Sequence, residues 1–118
     1  MKNFLAIYIG SDAAIERAQW NEMDDASRKD RQEAGVRAWK AWATANSAAI
    51  VDHGSPLGKT KRAAPEGATD IKNVMAAYVI VRAASHEAAA KLFEGHPHFT
   101  IFPGDSVEVM ECLPIPGM

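Results

Sequence analysis

Residues 74–82 constrain the fold more than any other part of the chain. The run Val-Met-Ala-Ala-Tyr-Val-Ile-Val-Arg is apolar at both odd and even positions, a pattern typical of a strand in the interior of a sheet. Residues 3–9 are rich in apolar and aromatic side chains and end at Gly10 and Ser11, which favour a turn. The two stretches therefore predict two central strands.

The segment between these strands predicts two helices. Asp12 is expected to cap a short helix over residues 13–22. Ser27 and Asp30 resemble a capping box at the start of a longer, proline-free helix over residues 28–49. Helical spacing predicts that the apolar face of this second helix comprises Ala38, Trp39, Ala41, Trp42, Ala45 and Ala49.

The rest of the chain predicts shorter elements. Ile50 and Val51 begin a strand, and the glycines and proline of residues 52–58 indicate a sharp turn. Residues 59–63 predict an edge strand, and the polar stretch up to Asn73 predicts a loop.

The C-terminal part predicts one helix and one strand. Ser85 is expected to cap a helix that buries Ala88, Ala89, Leu92 and Phe93 and ends at Gly95. Residues 106–111 alternate between polar and apolar and predict a half-buried final strand.

This order of elements predicts one α+β domain over residues 1–118. It matches the split βαβ, ferredoxin-like arrangement, an antiparallel sheet with helices on one face. The predicted strands are too apolar for the other face to remain in water. A second copy of the chain is the simplest cover, so we expect a homodimer.

Composition narrows the classes of function. The formal net charge of −2 gives no electrostatic reason to expect a nucleic acid or membrane partner. Cys112 is the only cysteine, which excludes an internal disulfide and fits a cytoplasmic protein. Its apolar neighbours predict a buried or half-buried thiol. The apolar N-terminal stretch is short and ends at a turn, so it is interpreted as a strand and not as a signal peptide.

Residues 96–105 carry the strongest candidate for chemistry. His96 and His98 lie on one side if the segment is extended, and Asp105 follows a Phe-Pro-Gly turn. A carboxylate beside a histidine fixes its orientation for acid–base work. His98 or His96 is therefore the candidate acid–base group, with Asp105 as its orienter and Asp52 as a second polar group.

Further residues complete the predicted pocket, and two alternatives remain open. Trp39, Trp42, Tyr78, Phe102 and His53 are the candidate substrate-binding residues. The histidines and carboxylates could instead bind a divalent metal, although a His-x-His pair without a third spaced ligand is a weak signal. Alternatively, they only hydrogen-bond a loop in place. No phosphate-binding loop, paired cysteines or serine elbow occurs, so no cofactor is expected.

Several of these patterns resemble the YCII-related family over residues 4–112. They are the Gly-Ser-Pro-Leu-Gly run at residues 54–58, the strand over residues 78–83 followed by Ser-His-Glu-Ala at residues 85–88, and the closing Ser-Val-Glu-Val at residues 106–109. The resemblance implies a dimeric α+β barrel with a pocket near the subunit interface. Better-studied relatives look like small enzymes with a paired histidine and aspartate, the histidine coming from the first long helix. Residues 13–50 contain no histidine, so that pair has no counterpart here.

The combined expectation is a small-molecule pocket with His/Asp acid–base chemistry of the lyase or hydrolase type. The alternative is a non-catalytic module that binds a ligand or another protein.

Overall fold

The computed structural model describes all residues 1–118. Burial alternates along the first strand, where Phe4, Ala6 and Tyr8 are buried and the residues between them are half-buried. The elements in chain order are β1 (Lys2–Ile9), α1 (Asp12–Arg17), α2 (Asp25–Ala45), β2 (Ile50–Pro56), β3 (Thr60–Ala64), β4 (Gly67–Ile71), β5 (Met75–Ala83), α3 (His86–Lys91), α4 (Pro97–Thr100) and β6 (Ser106–Glu111).

The main sheet has the strand order β2-β5-β1-β6. All of its neighbouring strands are antiparallel, with Phe4 opposite Val81 on one side and Glu111 on the other. Helix α2 connects β1 to β2, and β5 lies between these two strands in the sheet. This is the split βαβ arrangement. The predicted α+β, ferredoxin-like fold is confirmed.

The core lies between this sheet and the helices. Val79, Val81 and Ala83 from β5 join the buried residues of β1, and Ala89 and Phe93 cover them. Trp39 and Trp42 from α2 pack against the same cluster. The protein measures only 19 Å along its shortest axis, which corresponds to one helical layer on one sheet.

The predicted limits of the first two helices were wrong. Ser11, not Asp12, caps α1 by accepting a hydrogen bond from the Ala14 amide, and the helix ends at Arg17. Gln19 then adopts a left-handed conformation with φ of 53°, which breaks the helical path. Asp24 caps α2, which begins three residues earlier than predicted and ends at Ala45.

The inward face of α2 also differs from the prediction. Gly35 is buried and both tryptophans are half-buried, but Ala41 and Ala45 are exposed. The two large rings fill the space against the sheet, so the alanines beside them are turned to solvent.

Strand β2 continues through the predicted turn. It pairs irregularly with β5, with register shifts on both sides of Asp52. Gly54 has φ of +65°, and a Cβ atom there would overlap the Tyr78 carbonyl. Only glycine allows this close approach, so the Gly-Ser-Pro segment forms a bulged strand end.

Strands β3 and β4 form a separate two-stranded hairpin, which we call the arm (residues 60–71). Residues predicted as loop up to Asn73 include β4, so that prediction was wrong. Every residue of β4 is exposed, and the cross-strand pairing supplies its regularity. The arm packs extensively only on itself.

The C-terminal elements agree with the sequence more closely. Ser85 caps α3, Ala89 and Phe93 are buried, and β6 covers the predicted residues. The predicted end of the helix at Gly95 was wrong, because α3 ends at Lys91 and turns continue to Gly95, which adopts positive φ. Cys112 follows the end of β6 and is exposed. The predicted burial of its thiol was therefore wrong. None of the helices is both long enough and apolar enough to cross a membrane.

Candidate functional site

A cavity of about 590 Å³ lies between α2 and the β2–β5 half of the sheet. Apolar residues form most of its wall. Six of the predicted site residues line it, namely Trp39, Trp42, His53, Tyr78, His98 and Phe102. The cavity has the size and lining of a site for a small organic molecule.

Close packing of Phe102 against α2 closes one side of the cavity. A Cβ atom at Gly35 would overlap the Phe102 ring, so the ring rests directly on the helix backbone. The Phe102 and Trp39 ring centroids lie 6.1 Å apart, and Tyr8 lies 4.7 Å from Trp39. This wall depends on a glycine in the middle of a helix.

His96 is part of the packed wall and does not line the cavity. It is 1% exposed and lies between Trp39 and Trp42, at ring-centroid distances of 4.5 and 4.7 Å. The segment is not extended as predicted, because His96 caps the short helix α4. Its Nδ1 accepts a hydrogen bond from the His98 backbone amide at 2.9 Å.

This capping bond fixes the proton position on His96. An amide N–H only donates, so Nδ1 carries no proton, and the neutral ring has its proton on Nε2. Nε2 lies 3.3 Å from the Tyr8 Oη. The Tyr8 oxygen therefore accepts from His96, and its own hydrogen is left without a protein partner.

His98, unlike His96, lines the cavity. Its Nε2 lies 2.7 Å from the Ile9 carbonyl oxygen, which only accepts, so Nε2 carries the proton. Nδ1 of His98 then holds a free lone pair and has no protein partner. Every fully buried side-chain nitrogen or oxygen has a hydrogen-bond partner. Because the Nδ1 of His98 has none, this atom is not fully buried, although His98 as a whole is only 7% exposed.

Burial keeps the ring groups uncharged. Desolvation, with a smaller contribution from His98, lowers the pKa of His96 to about 4. Desolvation also lowers the pKa of His98, against the opposing effects of the Ile9 carbonyl and Asp105. Burial raises the pKa of Tyr8. All three groups are therefore neutral at pH 7, and Tyr8 is protonated.

Asp105 was predicted to orient a histidine directly, and the structure places it elsewhere. Its carboxylate accepts from the Ser11 amide at 2.7 Å, the Ser11 hydroxyl at 3.1 Å and Arg17 at 3.0 Å. These bonds, the Ser11 hydroxyl first, lower the pKa of Asp105. The Ile9 carbonyl orients His98 instead.

Asp105 acts on His98 through the backbone. Its amide donates to the same Ile9 carbonyl at 2.9 Å, and the Gly104 amide donates to the His98 carbonyl at 3.0 Å. The Asp105 carboxylate thus anchors the turn that holds His98 in place.

The remaining predicted polar groups do not converge. Asp52 is exposed, does not line the cavity, and accepts from the Gly54 amide at 2.8 Å. His53 is exposed at the edge of the cavity. No group of three His, Cys, Asp or Glu side chains is placed to hold a metal ion, so the alternative of a metal site has no ligand set.

Two groups of the site were missed in the sequence. Tyr8 lines the cavity and contacts His96, and the Ile9 carbonyl holds His98. The alternation along residues 3–9 placed Tyr8 on the same face as Phe4 and Ala6. Nothing in the sequence linked that face to residues 96–98.

Comparisons with known proteins found similarity among solved structures alone. No family model and no curated protein matches the chain. Among solved structures, it is similar to 5-chloro-2-hydroxyhydroquinone dehydrochlorinase (TftG) from Burkholderia phenoliruptrix AC1100, in complex with 2,5-dihydroxybenzoquinone. The identity is 20%, the TM-score is 0.49, and the match covers 91% of this chain and 89% of the other.

Proposed function

We propose that this chain binds a small, mainly apolar organic molecule in the cavity beside α2 and that His98 is the acid–base group of that site. The observation that carries the proposal is the free Nδ1 lone pair of His98 in an apolar cavity. The ring is held by the Ile9 carbonyl at 2.7 Å and has no second partner.

The state of His98 suits a proton acceptor. A general base needs an unprotonated atom within reach of the ligand and a fixed ring orientation. The lowered pKa of His98 keeps Nδ1 unprotonated at pH 7. The carbonyl partner on Nε2 fixes both the orientation and the tautomer, as a carboxylate does in other histidine sites.

The wall indicates the kind of ligand. Trp39, Trp42 and Phe102 present aromatic surfaces, and no carboxylate lines the cavity. Flat or compact apolar molecules with one polar group bury most area in such a cavity. The proposed chemistry is proton transfer, as in lyase and hydrolase reactions, and it needs no redox group.

We also propose that the chain is a YCII-related protein and forms a homodimer through the helix-free face of its sheet. Strand alternation places Leu5, Ile7, Tyr78 and Ile80 on that face, and Met110, opposite Leu5, is 42% exposed. A contiguous apolar surface across three strands favours association. The cavity lies on the other, helix-covered side of the sheet, and Tyr78 is the one of these residues that also contributes to its wall.

A matched pair of ligands tests the role of His98. 2-Naphthol and 2-methylnaphthalene have the same shape, but only the naphthol donates a hydrogen bond. In NMR titrations of the protein, we expect the naphthol to bind about five-fold more tightly, the effect of one net hydrogen bond. In His98→Leu, which removes the acceptor, this preference should become smaller.

His86→Leu is the matched control, since His86 lies on α3 outside the cavity. It should retain the preference for naphthol. If neither ligand shifts the resonances of Trp39 and Trp42, the proposed binding site is wrong.

Sedimentation equilibrium tests the dimer. The protein should sediment as a dimer at micromolar concentration, and Leu5→Lys should convert it to a monomer. Thr69→Lys on the exposed arm is the control and should remain dimeric. A folded wild-type monomer would contradict the proposed interface.

A further inference from the structure

We propose that the Tyr8 hydroxyl is a fixed hydrogen-bond donor of the cavity and that, with His98, it selects carbonyl compounds that carry an acidic α C–H bond. This inference rests on the proposed function, since it assigns a second polar group and a substrate class to the same cavity. Tyr8 would be a catalytic residue and His96 its positioning residue.

A relay of two hydrogen bonds sets the direction of the Tyr8 donor. The His98 amide donates to the His96 Nδ1 at 2.9 Å, and His96 Nε2–H donates to the Tyr8 Oη at 3.3 Å. The first donor is a backbone amide and cannot be reversed. The polarity of the whole relay is therefore fixed, and the Tyr8 hydrogen has to find its acceptor outside the protein.

The hydroxyl hydrogen of Tyr8 is buried and has no acceptor in the protein. Tyr8 is 1% exposed, yet it lines the cavity. A buried hydroxyl without an acceptor is unfavourable. A ligand oxygen in the cavity would satisfy the donor, so the site favours a molecule with an acceptor atom over a pure hydrocarbon.

The base and the donor lie side by side. The Tyr8 and His98 ring centroids are 5.2 Å apart at an interplanar angle of 67°. One small molecule can therefore contact both groups. Lys40 is the one formally charged residue in the lining at pH 7, and no carboxylate is present, so the site favours negative charge that develops on the ligand.

These groups together match enolate formation. His98 Nδ1 takes a proton from the α-carbon, and the C–H electron pair becomes the C=C bond of the enolate. The carbonyl π electrons move to the oxygen, which accepts the hydrogen bond from Tyr8 O–H. Return of a proton from His98 to the same carbon restores the ketone, so no other reactant is needed.

Exchange of the α-protons of 2-indanone in D₂O tests this step, with indane as the hydrocarbon control. We expect the wild-type protein to accelerate exchange, measured by ¹H NMR, and His98→Gln to abolish the acceleration. Tyr8→Phe should lower the exchange rate about 100-fold, the usual effect of removing one oxyanion donor. Indane binding by Tyr8→Phe should be unchanged, which shows that the cavity is intact.

His96→Asn tests the relay. Asparagine can still cap the His98 amide but removes the Nε2–H donor to Tyr8. We expect exchange to be slower than in wild type and faster than in Tyr8→Phe, with unchanged indane binding. A merely structural role of His96 would change the binding of both compounds equally.

The outcomes separate the two proposals. If His98→Gln abolishes exchange and Tyr8→Phe does not slow it, the role of Tyr8 is overturned while the proposed function stands. If the wild-type protein binds 2-indanone but does not accelerate exchange, the inferred substrate class is overturned. If neither indane nor 2-indanone binds, the proposed function fails and this inference fails with it.

Discussion

The helix-covered face of β1 and the β3–β4 arm differ in what holds them together. Phe4, Ala6 and Tyr8 are no more than 1% exposed and pack beneath two helices. The arm consists of paired backbone with exposed side chains, and its cross-strand ion pair, Lys61 to Asp70 at 2.7 Å, is 77% and 83% exposed. Isolated two-stranded hairpins are marginally stable.

This difference explains where chemistry can occur. In the core, burial excludes water from His96 and leaves His98 accessible only from the cavity, and it gives each hydrogen bond a defined partner. In the arm, water competes for every polar group, so its side chains form only exposed contacts. We therefore expect large energetic effects in the first region and small ones in the second.

The largest expected effect comes from truncating the core. Phe93 contacts Tyr8, Trp42 and His96, and Phe93→Ala should lower the free energy of unfolding by about 3–5 kcal/mol. Ile71→Ala on the arm should cost less than about 1 kcal/mol. Urea denaturation measures both. Equal losses would contradict the contrast between the regions.

Acid should destabilise the core by a comparable amount. The pKa of His96 falls from 6.5 in the unfolded chain to about 4 in the folded protein, so the unfolded state binds more protons between these values. Stability should therefore fall by about 3 kcal/mol from pH 7 to pH 4 because of His96. Below about pH 3, where His96 is protonated in the folded protein as well, this contribution stops changing.

Burial of His98 acts in the same direction, and so do the lowered pKa values of Asp24 and Asp105 as the pH falls towards their range. The difference between wild type and His96→Asn isolates the His96 contribution. Unfolding free energies of the two proteins should converge as the pH falls from 7 to 4. A constant difference would show that His96 is not held neutral by the fold.

A smaller effect is expected at Gly35. Alanine favours a helix by about 1 kcal/mol over glycine, but a Cβ atom at Gly35 would overlap the Phe102 ring. We expect Gly35→Ala to destabilise the protein by about 1–3 kcal/mol, as overpacking does. Phe102→Leu should relieve the loss in the double variant, and a stabilised single variant would contradict the packing.

The smallest effect is expected in the arm. A double-mutant cycle on Lys61→Ala and Asp70→Ala should give a coupling of about 0.5 kcal/mol or less, because both side chains are exposed to water. A larger coupling would indicate that the arm is buried against another surface.

The elements that could be predicted from the sequence are those whose burial produces a regular spacing of apolar residues. Residues 74–82 and 106–111 became strands because their apolar residues pack on helices, and the core residues of α3 were found by their spacing. Strand β4 was missed because Gly67-Ala-Thr-Asp-Ile buries nothing and is held by pairing with β3. The early start of α2 follows from the cap at Asp24, whose carboxylate accepts from the Ser27 amide, so Ser27 lies inside the helix.

Several residues of the site could be predicted from the sequence, but the contacts between them could not. The aromatic residues and His98 were identified by residue type and do line one cavity. The partners were not predictable, since Tyr8 meets His96 across 88 positions and Ile9 meets His98 across 89. Asp105 lies near the histidines in sequence but bonds to Ser11, because the turn brings it to the start of α1.

The most direct test of the account is the tautomer of His98, measured by long-range ¹H–¹⁵N correlation of the histidine rings at pH 7. We predict a neutral ring with its proton on Nε2 and an unprotonated Nδ1, and the same tautomer for His96. A charged His98 ring, or a proton on its Nδ1, would remove the free lone pair and contradict the proposed acid–base site.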